Sequence, residues 1–146
     1  MITVQREKWI DCIDQIMPMC QQAFDLGENE MTGLRLDLDF DLYQKMDDAD
    51  IMHCLVMRKS NKPIGIHWIF VTATPRHKGK VVAQTDVIFV DEHYRNHSLK
   101  LISYSENYIK EYADIWLMSV RDYADRSKLW QKKGFKQIEQ VMMRIV

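Results

Sequence analysis

The order of periodic segments predicts a mixed α/β domain, a central and mostly antiparallel sheet flanked by helices. Three observations carry that reading. Apolar residues recur at helical spacing near the start of the chain and again after Ser98; residues 51–90 read as three extended runs joined by turn residues; and residues 114–146 return to strand, short helix and strand. A chain of 146 residues that is 47% apolar is the size of one domain with one sizeable core. A single domain over 1–146 is expected.

Residues 2–4 can form a short first strand. Trp9, Ile13, Ile16, Met17, Cys20 and Phe24 then fall on one face of a helix. Pro18 lacks the N–H that the helix interior needs, so a kink or a fresh start is expected there, with Gly27 and the following ENE as the stop. Between Asp25 and Asp50 lie nine carboxylates against only Arg35 and Lys45. Within that acidic stretch, Asp39 or Asp41 can cap a short helix over DFDLYQKM. The runs IMHCLVMR, IGIHWIFVTAT and VVAQTDVIFV form an antiparallel meander, with Asn61, Pro63, Pro75 and Gly79 supplying the turns. After Val90 comes DEHYRNHSLK and a helix with Leu99, Ile102, Tyr108, Ile109 and Tyr112 available for burial. DIWLMSV then reads as a strand, RSKLWQKK as a short helix and FKQIEQVMMRIV as a last strand.

Composition narrows the function classes. A formal charge of −1 provides no general field to gather nucleic acid or an anionic membrane, so neither is expected as a partner. Cys12, Cys20 and Cys54 are odd in number, form no CxxC pair and sit among apolar neighbours, which suits reduced thiols. No apolar run approaches the ~20 residues needed to cross a bilayer, and a soluble, cytoplasmic protein is expected. No cluster suggests a metal.

The junction from Val87 to Lys100 is the most informative stretch. A strand entering a helix through a short loop presents backbone N–H groups to an anion, and Arg95 and Lys100 add positive charge there. VDEHYRNHSLK resembles the acetyl-CoA loop of the GNAT superfamily of N-acetyltransferases, a valine-ended strand followed by Q/R-x-x-G-x-G/A and a helix. Arg95 takes the first position; Ser98 and Lys100 stand where the family has glycine and glycine or alanine. At the expected distance, SKLWQKKGF resembles the family's C-terminal signature, with Leu129, Gly134 and Phe135 matching. Trp130 occupies the place of the tyrosine that commonly protonates the departing thiolate, and an indole cannot do that at neutral pH.

The resemblance implies the GNAT fold over nearly the whole chain, with six to seven strands and about four helices, and an acyltransferase using acetyl-CoA as co-substrate. It implies that the strand ending at Phe89 and Val90 parts from its neighbour and offers its backbone to the pantetheine arm. Arg95, Asn96, His97, Ser98, Leu99 and Lys100 would surround the pyrophosphate, the main-chain amides forming the cradle, with Trp130 in the pantetheine wall. The reaction would be direct attack of a primary amine on the thioester.

An alkylamine with a pKa near ~10.4 must lose a proton before it attacks. Strand alternation puts Val82, Gln84, Asp86, Ile88 and Val90 on one face, and family bases fall near Gln84 or Asp86, of which only Asp86 ionises. Asp86 is therefore the candidate base, against the plainer reading of a strand carboxylate paired with a cation. His67 on the neighbouring strand competes, although a sheet histidine is more often satisfied by its neighbours. Tyr123 is the candidate acid, with Tyr104 and Tyr108 as alternatives. The acidic stretch 25–50 would border the acceptor cleft and attract a cationic amine, or else be a solvated face. RHKGK at 76–80 reads as a soluble turn. The alternative function, drawn from Ser98, Lys100 and Trp130, is an inactive GNAT-like module that binds CoA or a protein. The acceptor and the assembly are left open, a homodimer included.

Overall fold

The computed structural model describes Met1–Val146. Its centre is a five-stranded sheet in sequential order: β1 (Ile2–Glu7), β2 (Met52–Lys59), β3 (Lys62–Ala73), β4 (Val81–Val90) and β5 (Ile115–Leu117). The first four strands pair antiparallel; β5 runs parallel to β4. Such a parallel neighbour needs a crossover, supplied here by α4 (Ser98–Tyr112).

Helices cover both faces. On one, α1 (Trp9–Asp25) buries Trp9, Cys12, Ile16 and Cys20 against Cys54, Val56, Ile66 and Trp68. The helix runs through Pro18 as one element, so the expected restart is absent. Its Lys8 N-cap has no capping side chain; instead Asp47 Oδ2 accepts the Trp9 N–H at 3.0 Å, a buried carboxylate at the positive end of the helix. Asp47 comes from α3 (Phe40–Asp48), whose own N-cap is Asp39, accepting the Leu42 N–H at 2.9 Å. The ENE that read as a stop forms a short helix of its own, α2 (Glu28–Thr32), ended by Gly33 at φ 69°. On the opposite face, α4 sets Leu101 against Met57, Ile64 and Val90, and Ile109 against Leu55, Ile69 and Ala83.

The alternation expected along β4 holds only in part. Trp68 is opposite Val87 and Ile69 is opposite Thr85, so Asp86 is the extra residue of a β-bulge. Past it the side-chain phase reverses. Val87 and Phe89 pack on the α1 side, whereas Ile88 and Val90 turn to the α4 side, away from the face they were expected to share with Asp86.

Near the end of the chain, α5 (Ser127–Lys132) closes through Gly134, φ 95°. The Gly134 N–H donates to Gln131 O and the Phe135 N–H to Trp130 O, both at 3.0 Å, and Phe135 packs edge-on to Trp130. That is a Schellman stop with its apolar clasp, the physical content of the Gly-Phe pair. Residues 136–146 then form no strand. The sheet has five strands rather than six or seven because this segment finds no pairing partner within its own chain. No helix is long and apolar enough to cross a membrane.

One polar network sits in the sheet interior. His67 is fully buried, its Nδ1 2.8 Å from Ser105 Oγ on α4 and its Nε2 2.8 Å from Thr85 Oγ1 on β4. Trp116 Nε1 of β5 donates to the same Thr85 oxygen at 2.9 Å. Burial pushes the His67 imidazole down to about 3, so the folded protein holds it neutral while an unfolded chain titrates it near ~6.5. Between those values the unfolded chain binds more protons, and stability is lost as pH falls below ~6.5, by up to ~1.4 kcal/mol per pH unit. Denaturant unfolding at stepped pH between 7 and 4 should show this slope in the wild type and a flatter one in His67→Gln; parallel slopes would remove His67 as its source.

Candidate active site

β5 pairs with β4 only at Val82–Gln84, opposite Ile115–Leu117. Beyond that point Thr85–Val90 continues without a strand on that side, while the chain after Leu117 swings away as Met118–Arg121. The gap between them opens into a cavity of about 430 Å³. Its floor includes Thr85–Val90, one wall includes Met118–Arg121, Leu129 and Trp130, and the far end is closed by Phe24, Leu36, Leu38 and Tyr43. Extended backbone with an unpaired side is what another extended chain pairs with.

Asp86 faces this cavity from the bulge. Burial raises its carboxyl above the ordinary range, while a hydrogen bond from Tyr43 and the nearby charge of Arg121 pull the other way. The Tyr43 hydroxyl donates to Asp86 Oδ2 at 3.3 Å, and its ring lies stacked on Trp9 with centroids 5.3 Å apart. Burial raises the Tyr43 phenol too, so the proton stays on tyrosine and the carboxylate accepts. Arg121 reaches Glu28 at 4.0 Å, and both line the cavity. Cys20, also in the lining, is pushed up to about 12 by burial and remains a thiol.

Tyr123 lines the cavity from a 3₁₀ turn at Asp122–Ala124, its phenol raised by burial. Gly27 is what lets it lie there. A Cβ on Gly27 would stand 2.7 Å from Tyr123 Cγ. Trp130 is buried in the wall, edge-on to Trp116 at 6.1 Å, in a packing role.

At the other end, Arg95 and Ser98 line the cavity together with Phe89 and Val90; Asn96, His97, Leu99 and Lys100 do not. Residues Glu92–His97 are coiled into a 3₁₀ helix that runs directly into α4, and the Ser98 N–H donates to Arg95 O. The expected open loop is thus a tight helical entry, and Leu99 points to solvent at 58% exposure. Arg126, which no sequence signal singled out, joins Arg95 in the lining.

Other candidates fall away from the cavity. His67 is held by Ser105 and Thr85; Tyr108 bonds His53 Nδ1 at 2.7 Å; Tyr104 packs against the α4-side core. Of the nine carboxylates in 25–50, Glu28 is the one in the lining, while Asp39 and Asp47 cap helices and Asp50 pairs with Arg6 at 2.7 Å. The residues that sequence reasoning missed are Tyr43, Arg121 and Arg126, whereas Glu28 was expected only as one of the acidic stretch. Their meeting depends on α2, α3 and the 118–126 loop, which no local pattern links.

No protein-family model matches the sequence, and no curated protein does. Solved structures match over the whole chain. A GCN5-related N-acetyltransferase from Ralstonia eutropha JMP134 superposes with a TM-score of 0.79 at 14% identity, covering 99% of each chain. A ribosomal-protein-alanine N-acetyltransferase from Brucella melitensis biovar Abortus 2308 gives 0.76 at 12% identity, covering 100% of this chain and 97% of that one. An aminoglycoside acetyltransferase from an uncultured soil metagenomic sample gives 0.75 at 12% identity, with 100% and 98% covered. The chain therefore has the GNAT fold, with a five-stranded mixed sheet.

The close approach at Gly27 gives a direct check on the site's architecture. Gly27→Ala should cost about 1–3 kcal/mol of stability through overpacking on Tyr123, read by urea unfolding. An unchanged midpoint would mean that the ring is not seated on this glycine.

Proposed function

We propose that this chain, with its GNAT fold, is an N-acetyltransferase that moves an acetyl group from acetyl-CoA to a primary amine of a small molecule or protein. The observation that carries the reading is the unpaired half-strand Thr85–Val90 running along a cavity into which the carboxylate of Asp86 also projects.

The residues present suit such a co-substrate. Main-chain groups of Thr85–Val90 can pair with an amide-bearing arm as a neighbouring strand would. Arg95 and Arg126 at the cavity, with Ser98 beside them, suit a diphosphate. The thioester supplies the activated acyl group. In the transfer, the amine nitrogen bonds the acyl carbon as the carbon–sulfur bond breaks. The amine's surplus proton passes to Asp86, and the sulfur leaves as thiolate or takes a proton. A carboxylate raised by partial desolvation is a stronger base than a fully solvated one, and the Tyr43 hydrogen bond keeps it from rising further. Tyr123 is the candidate donor to sulfur, since Trp130 holds the wall and its indole has no acidic proton to give. A thiolate of pKa near ~8.5 can also leave with partial help.

Calorimetric titration with acetyl-CoA should show binding; none at hundreds of micromolar would end the proposal. Thiol release with a panel of amines and peptides separates an enzyme from a module that only binds. In that assay Asp86→Asn should lower turnover ~100-fold or more with acetyl-CoA affinity nearly unchanged, and equal rates would remove Asp86 from the mechanism. Tyr43→Phe removes a bond that favours the ionised carboxylate, so the acid limb of the kcat profile should move to higher pH. A limb that stayed or moved lower would exclude Tyr43 as Asp86's partner.

A further inference from the structure

The two ends of the cavity differ in chemistry. Arg95, Ser98 and Arg126 mark the end past Val90, whereas around Asp86 the lining is Cys20, Phe24, Leu26, Leu36, Leu38 and Tyr43. Glu28 is the only other carboxylate in the lining, and it lies 4.0 Å from the guanidinium of Arg121, which lines the cavity with it. Its charge is matched.

The stretch 33–39 shows how an acidic segment comes to wall an apolar space. It reads GLRLDLD, and exposure alternates with the sequence. Leu36 and Leu38 are half-buried and pack against the α1-side core, whereas Arg35, Asp37 and Asp39 are exposed. The leucines meet the cavity and the carboxylates meet water.

This arrangement separates classes of amine. One ammonium has a place, at Asp86. A second would lie among leucines or beside Arg121, and a cation taken from water without a partner is costly. A hydroxyl-rich amine meets the same obstacle, because each hydroxyl removed from water needs a partner and leucine and phenylalanine walls offer none. A hydrocarbon body gains instead, by about fourfold in affinity for each methylene buried.

Resting on the acetyl-transfer reading above, we propose that the acceptor is a primary monoamine with an apolar aliphatic or aryl body, its nitrogen at Asp86 and its body against Phe24, Leu36, Leu38 and Tyr43. In the transfer, ammonium and thioester become a neutral amide, a thiol and one released proton. The cationic amines that the acidic stretch promised by count, polyamines among them, are thereby excluded.

Thiol release at fixed acetyl-CoA is compared for hexylamine, phenethylamine, spermidine and kanamycin, and along the straight-chain series from propylamine to octylamine. Acetyl-CoA binding is measured separately by calorimetry. The expected kcat/KM is ~30-fold or more higher for hexylamine and phenethylamine than for spermidine or kanamycin, and it climbs about fourfold per methylene until the closed end stops it. Leu36→Lys, which sets a cation in that end, should lower the hexylamine value ~10-fold or more with acetyl-CoA affinity unchanged. Leu36→Asn should move it in the same direction, and serves if the lysine variant loses its circular dichroism. Faster release with spermidine or kanamycin, or a rate indifferent to chain length, overturns this acceptor while the transfer reading stands. Acetyl-CoA binding with no release from any amine overturns acceptor and transfer together, and no binding at all overturns the coenzyme reading as well.

Discussion

Where β4 lets go of β5, one hydroxyl ties both strands to the sheet behind them. Thr85 Oγ1 takes the Trp116 indole N–H from β5 and meets the buried His67 of β3, whose other nitrogen is bonded to Ser105 of α4. Backbone pairing between the strands stops one residue earlier, at Gln84. Four elements are thereby joined at the point of separation, and the neutral imidazole can donate on one side and accept on the other because both partners are hydroxyls. An opening between strands exposes peptide groups that would otherwise be satisfied. It persists here because the strands are held at its apex.

The bulge at Asp86 completes that design. With an extra residue at this point, Thr85 turns toward His67 while Asp86, one position on, projects into the cavity, and the phase of the rest of the strand is reset so that Phe89 and Val90 stay packed on opposite sides. The carboxylate thus stands in the open cavity without an ion pair of its own. Tyr43 is its one hydrogen-bond partner, and the Tyr43 ring is held in turn by stacking on Trp9. Partial desolvation in the cavity suits chemistry that needs a raised carboxyl.

Much of this was legible in the sequence where local rules decide the outcome. The order of elements, the Asp39 cap, the turns of the meander and the Gly-Phe stop each depend on residues within a few positions of one another. The parting of the strand that ends at Val90 followed from resemblance, and the register bears it out. What stayed hidden depends on partners far apart in the chain. A bulge at Asp86 has no glycine to signal it, and the Tyr43 contact spans 43 residues. The ENE segment read as a stop because its helix is a single short turn between two glycines. The last twelve residues read as a strand by pattern, yet pattern cannot say which edge they would join. The 95–100 stretch was expected as an open loop, and local helical bonding closes it more tightly.

The central claim is that the unpaired side of Thr85–Val90 is a binding edge. Amide chemical shifts of the nitrogen-15-labelled protein during titration with acetyl-CoA report on it residue by residue. The account predicts that the amides of Thr85–Val90 move together with those at the start of α4, saturating as one event, while β1 and β2 hardly respond. Saturation with the β4 amides unmoved would contradict it.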